Sequence, residues 1–297
     1  MKSFFGLNRM AITGLVMVSS MLLMAIFAPQ IAPYNPKARV RITLDSIYAK
    51  PSPQHLLGTD DAGKDVLSNF IYGARVSLTV GLFASLISVL IGGSIGLLAG
   101  FFGGRLEAIL MRFTDIVLVI PDLPLAVVLV ALTKPSLKNI IIVIGILGWT
   151  ATARLVRSQV LSVKERKFIL RAKALGANPL YILVRHVLPL VLPLIMANSV
   201  LVISLAILNE SGLAFLGLGD PTVLSWGQML NFAFNRGAMS SGAWWAFIAP
   251  GFGIVWLVLG FSLLGNGLEQ RFNPRLGQHH LQQAPLAYSP DKATEGV

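Results

Sequence analysis

Long apolar runs alternate with shorter polar joints along the whole chain. The runs cover residues 10–27, 76–102, 109–133, 140–153, 187–208 and 243–268, and the second of them holds no charged residue at all. The fourth is short unless its flanks at 137 and 156 belong to it. A helix needs about 20 consecutive apolar residues to cross hydrocarbon. The pattern therefore predicts an all-α membrane protein with six transmembrane helices. Two runs carry internal punctuation. Gly92-Gly93, Gly96 and Gly100 recur in the second, at a spacing that lets helices approach closely in lipid or that simply reflects how common glycine is in membrane helices. Pro121 and Pro124 flank Asp122 in the third and interrupt the amide ladder there.

Composition agrees with this reading. Of the 297 residues, 55% are apolar and only 12% charged, with a mean hydropathy of +0.72. The net charge of +11 does not point to nucleic acid, because the basic residues lie between membrane spans and not on one soluble face. Cysteine is absent, which excludes disulfides, thiolate metal sites and a cysteine nucleophile. The first run follows Lys2 and Arg9 as a signal peptide would. The segment Ala28-Pro29-Gln30-Ile31-Ala32-Pro33 makes a poor cleavage site, so the run reads as an uncleaved helix.

Charge also orients the bundle. Residues 154–186 carry Arg154, Arg157, Lys164, Arg166, Lys167, Arg171, Lys173 and Arg185 against the single acid Glu165. Six spans put both termini on one side, and 15 of the 24 basic residues then fall on that side. Positive charge marks the cytoplasmic face, so N-in, C-in is expected. The divisions follow: 1–28 for the N-terminal region and first helix, 29–71 for an extracytoplasmic segment, 72–274 for a five-helix core, and 275–297 for a disordered cytoplasmic tail. The core includes a cytoplasmic hairpin over 158–186.

Within that hairpin Phe168, Ala172 and Leu175 follow helical spacing, Gly176 can end a helix at positive φ, and Asn178-Pro179 can start the next. On physics alone the hairpin serves either as an interfacial element whose arginines bind lipid phosphate or as a docking element for a cytoplasmic protein. The segment from Arg171 through Pro189 resembles the coupling signature of membrane subunits in binding-protein-dependent ABC importers. Ala172, Gly176 and Leu188-Pro189 match it, whereas Leu170 and Arg171 stand where that family carries its Glu and first Ala. Further stretches resemble the dipeptide/oligopeptide/nickel branch, and within it the C-type subunit. These are His55-Leu-Leu-Gly-Thr-Asp-Asp-Ala-Gly-Lys-Asp, Tyr72-Gly-Ala-Arg-Val-Ser-Leu, Glu210-Ser-Gly-Leu-Ala-Phe-Leu-Gly-Leu-Gly, Ser225-Trp-Gly, and Leu264-Gly-Asn-Gly-Leu with Asn273-Pro274.

The resemblance implies a type I importer permease fold in a prokaryotic inner membrane. It implies four kinds of partner: a homologous permease as heterodimer partner, two ABC ATPase subunits or domains, an extracytoplasmic solute-binding protein, and membrane lipid. It assigns ATPase coupling to Arg171, Ala172, Lys173, Ala174, Leu175, Gly176, Ala177, Asn178 and Pro179. It implies no cofactor in this chain, with ATP and Mg2+ held by the partner subunits. The residues are compatible with that division, since Gly63-Lys64 is followed by Asp65 and lacks the hydroxyl residue of a phosphate loop. Peptides are the expected cargo of the branch.

Polar groups inside spans are costly and tend to be functional. Asp122, between two prolines, and Asn209-Glu210-Ser211, at the end of the fifth run, are candidates for the translocation pathway or for an interface with the partner permease. Asp115 is expected to pair with a nearby arginine such as Arg112. Asp60, Asp61 and Asp65 do not match a calcium-loop spacing, and Thr59-Asp60 reads as a helix N-cap. Two rival classes remain: a secondary transporter using Asp122 or Glu210 as proton carrier, and an intramembrane enzyme, for which no catalytic set presents itself.

Overall fold

The structure is a computed structural model in which residues 8–36, 38 and 42–272 are described. The expected tail over 275–297 and the Asn273-Pro274 pair lie outside the described residues. Twelve helices account for the described chain, with no strand among those residues. They are α1 (Arg9–Ile26), α2 (Ala28–Ile31), α3 (Val66–Phe102), α4 (Gly104–Val119), α5 (Asp122–Thr133), α6 (Leu137–Leu147), α7 (Trp149–Lys164), α8 (Lys167–Ala174), α9 (Pro179–Ile182), α10 (Leu188–Leu213), α11 (Trp226–Asn235) and α12 (Trp245–Phe272). Among the described residues five spans are long and apolar enough to cross a bilayer, or six when the α4–α5 pair, bent by 84°, is counted as one broken span.

Helix α3 is the spine. Its 37 residues reach about 55 Å, well beyond the hydrocarbon thickness. It begins ten residues before the apolar run because Asp65, not Asp60, caps it: Asp65 Oδ2 accepts from Ser68 N at 2.8 Å. Asp60 instead closes a turn, its Oδ1 accepting from the amides of Ala62 and Lys64. Along α3 the glycine stripe faces α7. A Cβ on Gly96 would lie 2.5 Å from Ala153 O, and one on Gly100 would lie 2.8 Å from Val160 Cβ. The stripe thus packs this chain's own helices.

The third span breaks where the prolines predict. Helix α4 ends at Val119 and α5 restarts at Asp122. Asp115 pairs with Arg154 of α7 at 2.6 Å, and not with Arg112 one turn away, because the arginine on the facing helix reaches it directly. Glu107 likewise binds Arg157, Nε to Oε1 at 2.6 Å. Three buried clusters run through the bundle: one joins α1, α3, α10, α11 and α12, a second α3, α5, α6 and α10, and a third Phe101, α7 and the residues after it.

Candidate coupling site and pathway face

Helices α8 and α9 form the expected helix–turn–helix. Ala177 N donates to Ala172 O at 3.1 Å across Gly176, whose φ is +76°, so the turn closes the α8 carbonyls as a glycine C-cap does. Asn178 Oδ1 accepts from Leu180 N at 2.8 Å and Pro179 opens α9. One wide turn over Leu183–Val187 then feeds α10. Fully buried Ile169 anchors the hairpin against Val160, Val163, Ile182 and Val187. The packed face therefore centres on Ile169 with Ala172 and Ala177, while Phe168 and Leu175 of the predicted stripe face outward. Leu175 is 87% exposed, and Leu170, Leu180, Tyr181 and Val184 are exposed around it. His186 sits edge-on to both Phe168 and Tyr181, holding the two short helices together.

The positive charge divides into two groups. Arg154 and Arg157 bind the α4 acids, and Lys164 Nζ donates to Gly100 O at 2.9 Å. These three fix α7 on α3 and α4. Arg166, Lys167, Arg171, Lys173 and Arg185 make no ion pair among the described residues. Lys173 lies over the Phe101 ring at 5.5 Å. An apolar tip ringed by uncompensated cations is a surface suited to a groove with acidic walls.

The four pathway candidates separate. Asp122 is exposed at the α4–α5 break and Asn209 is half-buried on α10. Glu210 is 2% exposed and turned inward, with the hydroxyls of Ser77, Ser211 and Ser225 facing its carboxyl group. Ser211 is buried beside it, Oγ at 3.5 Å from Glu210 Oε2. Asp122 opens α5 and Asn209 lies near the end of α10, and both helices carry exposed apolar residues, Leu123, Val128 and Leu132 on α5 and Met196, Leu205 and Leu208 on α10.

Sequence reasoning assigned no role to Trp226. It is fully buried, stacks on Phe70 at 5.5 Å and donates from Nε1 to Phe70 O at 2.9 Å. Gly73 and Gly253 leave room for its ring, since a Cβ on either would come within 2.8 Å of it. Ser225 caps α11, accepting from Gln228 N, and Gly227 lets α11 press on the Ser211 backbone. The Ser-Trp-Gly triplet is thus a plug that pins α11 between α3, α10 and α12. A solitary tryptophan flanked by a cap residue and glycine was the available signal.

Comparison with known proteins settles the family. The family model described as "binding-protein-dependent transport system inner membrane component" matches residues 92–278. The chain belongs to this family. The N-terminal transmembrane domain of oligopeptide transport permease C matches residues 5–51. The chain is 38% identical to the dipeptide transport system permease protein DppC of Alkalihalophilus pseudofirmus, over 91% of this chain and 87% of that protein. It is 37% identical to DppC of Bacillus subtilis, over 91% and 83%, and 36% identical to the oligopeptide transport system permease protein OppC of Bacillus subtilis, over 92% and 88%. The protein is accordingly a multi-pass inner-membrane permease subunit.

Proposed function

We propose that this chain forms half of the translocation pathway of an ATP-driven peptide importer. A homologous permease covers the apolar α5–α10 face, and the pathway runs between the two. Exposed Asp122 and half-buried Asn209 border the pathway, while buried Glu210 and Ser211 stiffen the wall behind it. The α8–α9 hairpin faces the cytoplasm and docks into one of two ABC ATPase subunits, which bind ATP and Mg2+. A solute-binding protein delivers cargo from the other side. The carrying observation is the hairpin itself, rigidly seated through Ile169 and the Gly176 turn yet presenting Leu175 and five unpaired cations outward. Closing the ATPase pair would drive the hairpins together and, through α7 and α10, switch the pathway between its inward- and outward-open forms. Peptide cargo is supported by the names of the relatives.

Reconstitution of the complete complex in proteoliposomes tests this reading. Peptide uptake should require ATP and the binding protein together. Uptake driven by a proton gradient without ATP would support the secondary-transporter reading instead.

A further inference from the structure

Helices α1 and α12 touch over one half of their length and part over the other. A Cβ on Gly14 would lie 2.4 Å from Leu264 N and 2.6 Å from Gly260 O, and one on Gly267 would lie 2.5 Å from Ala11 Cβ, so the two backbones meet there. Toward the end opposite the hairpin the glycines give way to Met21 and Met24 on α1 and to Phe252 and Trp256 on α12. These larger side chains hold the helices apart, and an apolar groove of about 570 Å3 opens between them. Ile248 and Ala249 continue its α12 wall, and Leu57 and Trp244 line its end at the loop layer.

The lining decides what can sit there. Among the described residues no charged side chain faces the groove. Ser20, Trp245 and Trp256 meet their polar demands inside the chain. Ser20 Oγ donates to Met17 O at 2.7 Å, Trp256 Nε1 donates to Met17 O and Ser20 Oγ at 3.2 Å each, and Trp245 Nε1 donates to Thr59 O at 3.1 Å. An ion or a peptide backbone would lose its hydration there and find no partner. The mouth is apolar too, with Trp244, Ile248 and Phe252 more than half exposed. Both walls belong to membrane spans, so the medium at the mouth is hydrocarbon. Left unfilled, the groove would forfeit the dispersion contacts of its lining. An α-helix, about 10 Å across, would use this volume in roughly 7 Å of its length. A hydrocarbon chain is only about 4–5 Å wide. From Trp245 to Trp256 the α12 wall runs about 16 Å, close to half of an about 30 Å hydrocarbon core. The groove is thus one leaflet deep, and its volume suits a chain and not a helix.

We propose that this groove seats one acyl chain of a phospholipid from the leaflet opposite the hairpin. The headgroup lies at the loop layer beside Trp244, where an interfacial tryptophan belongs, and the chain runs inward to Trp256. The lipid supplies the contacts that α1 gives up where it parts from α12. The site follows from the position of these two helices in the membrane and does not depend on the cargo.

Photolabelling tests the site. The assembled complex is placed in phosphatidylcholine vesicles in which a minor fraction of the phosphatidylcholine carries a diazirine midway along one acyl chain. After irradiation, adducts on this chain are mapped by mass spectrometry. They should concentrate several-fold on Met21, Met24 and Phe252 relative to Ile12, Leu15 and Val16, which are exposed on the other half of α1. Ala249→Phe fills the groove from α12 and should remove that excess while leaving the Ile12, Leu15 and Val16 adducts unchanged. Ser20→Phe fills it from α1 and should act alike. Leu259→Phe, exposed on α12 outside the groove, should keep the parent pattern. If neither filled variant assembles, the adduct ratio in the unaltered complex decides. Equal adduct density in the groove and on the other half of α1 would mean fluid surrounding lipid only, and overturns the proposal. A groove free of adducts, as a protein occupant would leave it, overturns it too, and so does an excess that survives both fillings.

Discussion

The loop end of the bundle is laced to itself. Tyr48 donates to Arg236 O at 3.2 Å, Asp61 pairs with Arg236, His55 Nδ1 lies 3.0 Å from Asp65 Oδ1, and Trp245 Nε1 donates to Thr59 O at 3.1 Å. Gly58, at φ +64°, lets the chain pass beneath the Trp245 ring. The opposite end carries a hairpin seated through Ile169, Ile182 and a glycine turn, with Leu170, Leu175 and Leu180 exposed and five of its cations outside any ion pair among the described residues. Polar loops joined this way keep their shape without help. A hairpin built the other way completes its contacts only against another surface. Under the proposed function, the first end keeps its shape and the second receives force.

The contrast is broken most severely at the spine that joins the two ends. Replacing Gly96 by Leu forces a side chain into the Ala153 carbonyl and should cost about 3 kcal/mol or more by overpacking. We expect loss of the detergent-extracted folded chain on size-exclusion chromatography, while Gly93→Ala, which meets nothing within 4 Å, should behave as the parent. Next comes the hairpin turn. Gly176→Val strains a φ of +76° by about 1–2 kcal/mol in a site with free space around it. The fold should survive while peptide transported per ATP hydrolysed falls several-fold in proteoliposomes. Unchanged coupling would remove the turn from the mechanism.

A smaller effect is expected from Arg171→Glu with Lys173→Glu. Both side chains are exposed, so the chain should fold normally and recover less ATPase on affinity purification. Normal recovery would assign these charges to lipid phosphate. The smallest effect belongs to the loop end. Burial pushes the Asp60 carboxyl above its ordinary range. Its folded form therefore holds a proton more tightly than its unfolded form. The associated stability is present below the unfolded pKa and is lost as pH rises through the folded one. Asp60→Asn should flatten that part of the dependence of Tm on pH, and an unaltered slope would locate it elsewhere.

Much of this architecture is written in local patterns. Run lengths mark the spans, the Pro121–Pro124 pair marks the break, and Gly176 with Asn178-Pro179 marks the hairpin, because each acts through its own backbone. Features that depend on a facing element escaped. Asp115 has Arg112 one turn away, yet its partner is Arg154, 39 residues distant in sequence. Thr59-Asp60 and Asp65 are both plausible caps, and only the fold of the preceding loop selects Asp65. The place of Glu210 at the end of a span is legible, but the hydroxyls its carboxyl group faces, Ser77 of α3 and Ser225 beside α11, come from distant parts of the sequence.

The most direct test uses the absence of cysteine. Leu175→Cys, at the most exposed point of the hairpin, is crosslinked with a short thiol-reactive reagent in membranes containing the whole complex, with access from each side controlled. The account predicts modification from the cytoplasmic side only and a crosslink to an ATPase subunit that strengthens or weakens with ATP. Modification from the outer side, or a crosslink-free hairpin in a complex that still transports, would contradict it.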